Sequence, residues 1–122
     1  MNNQKNIVLC GVGGQGTVLA SQLLAAAAMS KDIPVMSAET IGMAQRGGSV
    51  FSHLRMGDNL YSPMIETGTA DLIIGFEPGE TVRMLPYLKD HGHIVVSTRT
   101  VKPVTATLSG GQIMMHLRCL NI

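Results

Sequence analysis

The chain has 122 residues, which makes one domain at most and is long enough for a real core. Apolar residues are 45% of it but aromatics only 3%, with no Trp, so Val, Ile, Leu, Ala and nine Met must fill the interior. A formal net charge of +1 gives no electrostatic case for a nucleic-acid or membrane partner.

Met1–Lys5 is polar and leads straight into an apolar run; it has none of the features of a signal peptide, and no apolar run approaches transmembrane length. The two cysteines, Cys10 and Cys119, form no C-x-x-C, so a cytoplasmic protein without a disulfide framework is the default. Two thiols are also too few to ligate an iron–sulfur cluster from this chain alone.

Ile7–Cys10 does not alternate, the pattern of a strand buried on both faces. Gly11-Val-Gly13-Gly14-Gln15-Gly16-Thr17 follows it directly. Gly14 to about Ser30 then reads as a helix, with Val18, Leu19, Gln22, Leu23, Ala26 and Ala27 at helical spacing and Ala25–Ala28 small enough for close packing on a sheet. Pro34 ends the connection, and Val35–Ala38 reads as a second strand, parallel to and paired with the first in a right-handed βαβ unit.

Glu39–Gly48 carries three glycines and Arg46 without a strong period, a loop of functional length. Ser49–Met56 alternates: Val50, Ser52, Leu54 and Met56 form a buried face, and Ser49, Phe51, His53 and Arg55 a wetter one. After the Gly57-Asp58-Asn59 turn, Leu60–Met64 is predicted as an antiparallel return interrupted by Pro63. Ala70–Phe76 is another buried strand, and Glu77-Pro78-Gly79-Glu80 opens a helix to about Leu88 with carboxylates in its first turn. Asp90–His93 turns into a strand over Ile94–Ser97. Val104–Leu108 is strand-like, and Gln112–Ile122 is apolar with no cap.

Strand, glycine turn and helix in this order raise one question of chemistry. Glycines let a backbone approach a phosphate at a helix N-terminus, or let a helix pack tightly on a strand with no ligand present. A dinucleotide site wants an acid about twenty residues on, and Glu39 stands twenty-three after Gly16, so a small NAD(P)-binding Rossmann module is one reading. A Walker A loop is excluded, because Thr17 and Val18 follow Gly16 where a Lys is needed. Arg46, between glycines, can clamp a phosphate or carboxylate; pairing with Glu39 or Asp58, or plain solvation, is the simpler account. His91 and His93 lack a third ligand, so no metal site is assigned. No nucleophile–base pattern appears, Glu77 and Glu80 are explained by helix initiation, and no catalytic residue is assigned.

Four separate motifs nevertheless occur in a familiar order: the glycine turn Gly11–Thr17, Gln45-Arg46-Gly47-Gly48-Ser49-Val50-x-Ser52-His53, Tyr61-Ser62-Pro63, and Ala70-Asp-Leu-Ile-Ile-Gly-Phe-Glu-Pro78. Over roughly residues 4 to 110 the chain resembles the gamma-type subunit or domain of 2-oxoacid:ferredoxin oxidoreductases, and is most similar to the small (beta) subunits of the indolepyruvate branch. The resemblance implies a three-layer α/β/α fold with a mostly parallel open sheet and a Rossmann-like start. It implies an accessory subunit whose large partner holds thiamine diphosphate, magnesium and iron–sulfur clusters. The complex would decarboxylate an arylpyruvate, reduce ferredoxin and release an aryl-acetyl-CoA, while this chain alone holds no cofactor and is inactive. By the family pattern, Gly11, Gly13, Gly14, Gln15, Gly16, Arg46, Gly47 and Gly48 line one sheet edge, in contact with a phosphate (coenzyme A being the candidate) or with the partner subunit. Residues 1–110 are read as this domain and 111–122 as an atypical tail, with the C-terminal part incomplete relative to the family.

Overall fold

The computed structural model describes residues 3–40 and 48–101. Its central strand, β1 (Lys5–Val12), is buried from Ile7 onward, and its apolar side chains need cover on both faces. Helix α1 (Thr17–Met29) leads to β2 (Val35–Thr40), which β3 (Ser49–Met56) and β4 (Ala70–Gly75) follow. Helix α2 (Pro78–Met84) continues as a 3-10 turn over Leu85–Tyr87, where Pro86 has no amide to offer an α-helix, and the chain enters β5 (Leu88–Val96).

The sheet order is β2-β3-β1-β4-β5. β1 is parallel to β4, and β4 to β5, whereas β3 is antiparallel to both β1 and β2. Four strands therefore share one direction. Side chains alternate across the sheet. Ile7, Leu9 and Leu54 pack under Ala20, Leu24 and Ala25 of α1, and Val8, Cys10 and Ile73 pack with Met84 of α2 and Tyr87. This is the three-layer α/β/α arrangement that the family resemblance implies.

Several local expectations are corrected. β1 and β2 are parallel but not paired, because β3 lies between them. β3 matches β1 along its whole length, from Lys5↔Met56 to Val12↔Ser49, while the shorter β2 is only half-buried and takes the edge. On α1 the buried residues are Thr17, Ser21 and Ala28; Leu19 and Leu23 face outward, 58% and 62% exposed. Small side chains let the helix sit close to the sheet, with Leu24 packed against it while Leu19 and Leu23 turn away. His53, read as part of a wet face, is fully buried. Leu60–Met64 forms no strand and belongs to an irregular segment, Gly57–Thr69. β5 begins at Leu88 and passes through His91 and His93, both exposed, with a bulge between Ala70 and Leu72 of its partner and a positive φ of 61° at His91.

Candidate functional site

Parallel strands leave their ends together on one sheet edge, where ligands of open α/β sheets bind. Here that edge carries the end of β1, the start of β3 and the end of β4. The glycine turn takes positive φ at Gly14 (93°) and Gly16 (87°), conformations open to glycine at little strain. The Gly13 amide donates to the Gly48 carbonyl at 2.8 Å, so these two predicted residues are brought together.

Gln15 is internally committed. Its Oε1 accepts the Val12 amide at 2.7 Å and its Nε2 donates to the Phe76 carbonyl at 3.2 Å, bracing the end of β1 against the segment after β4. Gly11 is a packing glycine: a Cβ there would lie 2.8 Å from both Gln15 Oε1 and Thr17 Oγ1, and 3.0 Å from the Phe76 Cβ. Gly13, Gly14 and Gly16 instead line an open cleft of about 420 Å³, walled by Val12, Thr17, Val18, Leu19 and Val50.

The cleft sits against the N-terminus of α1. Gly16 is the N-cap and supplies no side-chain acceptor, and the first turn holds no acidic residue. The first amides of a helix have no intrahelical partner, and the helix dipole adds partial positive charge there. Thr17 lines the same cleft, but its Oγ1 is buried against Gly11 of β1 and has no hydrogen-bond partner.

Glu39 is not brought to this cleft. It pairs with Ser52, which pairs in turn with Leu9, so one whole strand separates it from β1. Two inter-strand spacings put their backbones roughly 10 Å apart. In a doubly wound dinucleotide fold the second strand is the direct neighbour of the first. Arg46 and Gly47 lie outside the described residues.

On the opposite sheet face, Cys10 is fully buried, its Sγ 3.8 Å from Thr81 Oγ1, and burial pushes its thiol up to about 11. His53 Nδ1 accepts the Ile65 amide at 2.9 Å, which puts the imidazole proton on Nε2, an atom with no hydrogen-bond partner. Burial lowers the His53 pKa, so the ring is neutral at physiological pH. Among the described residues no group of three or more His, Cys, Asp or Glu is arranged to hold a metal ion, and no helix is long and apolar enough to cross a membrane.

The family model for pyruvate ferredoxin/flavodoxin oxidoreductase matches residues 6–118. The chain belongs to this oxidoreductase family. It is 44% identical over 98 residues to the indolepyruvate oxidoreductase subunit IorB of Methanothermobacter thermautotrophicus, covering 80% of this chain and 50% of that protein. The fold is shared with a 2-oxoglutarate:ferredoxin oxidoreductase from Magnetococcus marinus (TM-score 0.69, 19% identity, 81% of this chain and 17% of that one). It is also shared with the gamma subunit of a keto/oxoacid ferredoxin oxidoreductase from Geobacter sulfurreducens (TM-score 0.59, 23% identity, 81% and 56%). The chain spans about half the length of the curated relatives it matches. The resemblance read from the four motifs, including its indolepyruvate branch, is thereby shown. The glycine motif thus divides its work: Gly11 and Gln15 pack and brace the sheet edge, and Gly13, Gly14 and Gly16 line the open cleft.

Proposed function

We propose that this chain is the small subunit of a thiamine diphosphate-dependent 2-oxoacid:ferredoxin oxidoreductase that acts on an arylpyruvate, indolepyruvate being the substrate class its relatives' names carry. The observation that supports this most is the 44% identity to an IorB subunit across most of the chain. The overall reaction converts arylpyruvate, coenzyme A and two oxidised ferredoxins into aryl-acetyl-CoA, carbon dioxide, two reduced ferredoxins and a proton. The residues of this chain do not fit an iron–sulfur cluster: the sequence has two cysteines, and Cys10 is buried with its thiol pushed up to about 11. The redox and thiamine chemistry is therefore assigned to the large subunit.

This chain's own contribution is the glycine cleft, which we assign to the coenzyme A side. The uncapped amides at the start of α1 suit a phosphate oxygen, and the exposed Gly14 and Gly16 let it approach the backbone. Arg46 and Gly47, which the family resemblance groups with these glycines, are proposed to contact the same phosphate.

The test is reconstitution with the large subunit and an assay of arylpyruvate- and CoA-dependent ferredoxin reduction. Activity should require this chain. Gly14→Ala, which puts a methyl group into the open space of the cleft, should raise KM for CoA about tenfold and leave kcat and the arylpyruvate KM unchanged. Full activity of the large subunit without this chain would refute the subunit reading; an unchanged CoA KM in Gly14→Ala would refute the cleft assignment alone.

A further inference from the structure

The segment Gly57–Thr69, between β3 and β4, has no regular structure, yet it is tied down along its length by residues outside it. Gln4 Nε2 donates to the carbonyls of Asp58 and Asn59 at 2.8 and 3.1 Å. Arg55 Nη1 donates to the Ser62 carbonyl at 2.8 Å, and Arg55 is itself fixed by Asn6 Oδ1 and Gln4 Oε1. The Ile65 amide donates to buried His53, and the Gly68 amide to the Pro86 carbonyl at 2.9 Å. Irregular segments of this length are generally either disordered or functional. This one is ordered, and only Ile65 of its large side chains is needed by the core.

What the segment holds outward is the unexpected part. Tyr61 is 90% exposed and Met64 52% exposed, although the backbone beneath them is fixed on both sides. A tyrosine on a prearranged backbone is a low-entropy anchor for a protein interface. The segment's own charged residues are Asp58 and Glu66, both exposed, and the one cation bonded to it among the described residues, Arg55, is tied to Ser62, Asn6 and Gln4. Two exposed carboxylates disfavour an anionic partner such as nucleic acid or acidic lipid, and they disfavour two copies of the same loop meeting. They suit a protein pocket that is apolar at its centre and basic at its rim.

We propose that Gly57–Thr69 is a preformed docking loop for the large subunit, with Tyr61 as its anchor. The assignment rests on the subunit reading above. The loop leaves β3 beyond Met56, which pairs with Lys5 at the start of β1, so it lies at the sheet edge opposite the glycine cleft. Docking there leaves the cleft open to a small ligand.

The test measures binding of the full chain to its large subunit, with thermal unfolding of each variant as the folding control. Tyr61→Ser should raise Kd at least roughly thirtyfold while its unfolding midpoint stays that of the unmodified chain, and Tyr61→Phe should stay within about fivefold. Asp58→Lys with Glu66→Lys should slow association about tenfold at low salt and little at high salt. A Tyr61→Ser Kd within twofold of the unmodified chain would overturn the docking loop while leaving the subunit reading intact. No complex with the unmodified chain would overturn the subunit reading and this partner with it. Self-association abolished by Tyr61→Ser would show the partner to be a second copy and overturn the assignment to the large subunit.

Discussion

The side chain of Glu77 accepts the backbone amide of Glu80 at 2.8 Å, so α2 begins with the protein's own carboxylate in its N-terminal site. α1 begins with Gly16, which can offer nothing of the kind. The two helices start from the same edge of the sheet, one closed and one open, and this asymmetry is what singles out the glycine cleft. Glu77→Ala should lower the stability of the chain by about 1–2 kcal/mol, the loss of a buried cap, measured by urea denaturation. A loss below about 0.3 kcal/mol would mean that α2 does not depend on this cap.

The glycines of the edge differ in what they do, and substitution should separate them. A Cβ on Gly75 would collide with the Thr81 hydroxyl and lie 2.8 Å from the Thr81 Cβ, while one on Gly14 would meet nothing within 4 Å. Gly14→Ala therefore carries only the backbone strain of a positive φ, about 1 kcal/mol, and Gly75→Ala forces strand and helix apart at about 3 kcal/mol or more. Denaturation midpoints of the two variants should rank in that order.

Much of this architecture was legible because β1 and the glycine turn are local signals. An unalternating apolar run followed by positive-φ glycines and a long Ala-rich helix leaves few alternatives. Strand pairing was not legible in the same way. The choice between β2 and β3 as neighbour of β1 depends on which matches it in length and burial, a long-range competition that no window of sequence contains. Glu39 was misplaced as a consequence: its distance from Gly16 along the chain suited a dinucleotide site, but β3 occupies the position that would have brought it near. His53 was misread because alternation showed which face it shares with Phe51 and not that Ile65 and Tyr87 would cover that face.

The His53–Ile65 bond makes stability depend on pH. The folded state accepts an amide proton at Nδ1, which a doubly protonated imidazolium cannot do, and burial lowers the pKa below the usual 6.5. The unfolded chain therefore binds the proton more readily. The stabilisation is complete above about pH 6.5 and is lost as pH falls from there toward the folded pKa, with a slope of at most about 1.4 kcal/mol per pH unit from this group. His53→Asn keeps an acceptor near the Nδ1 position and cannot titrate in this range. Urea titrations between pH 5 and 7.5 should show this part of the slope in the unmodified chain and its absence in His53→Asn; equal slopes would assign the pH dependence to other groups.

The orientation of α1 allows a comparison between two adjacent residues of the same type. Leu24 packs on the cluster of Ile7, Leu9 and Leu54, while Leu23 is 62% exposed on the outer surface of the helix. Removing apolar contacts from the inner position leaves a gap beneath the helix; removing them from the outer one changes little, since Ala is also a good helix former. Leu24→Ala should lower stability by about 2 kcal/mol, and Leu23→Ala by no more than about 0.5 kcal/mol, in the same denaturation experiment. The periodicity of Val18, Leu19, Gln22 and Leu23 taken alone gives the opposite ranking, so the pair decides which face of α1 meets the sheet. A larger loss for Leu23→Ala would require the helix to be turned about its axis relative to the arrangement described.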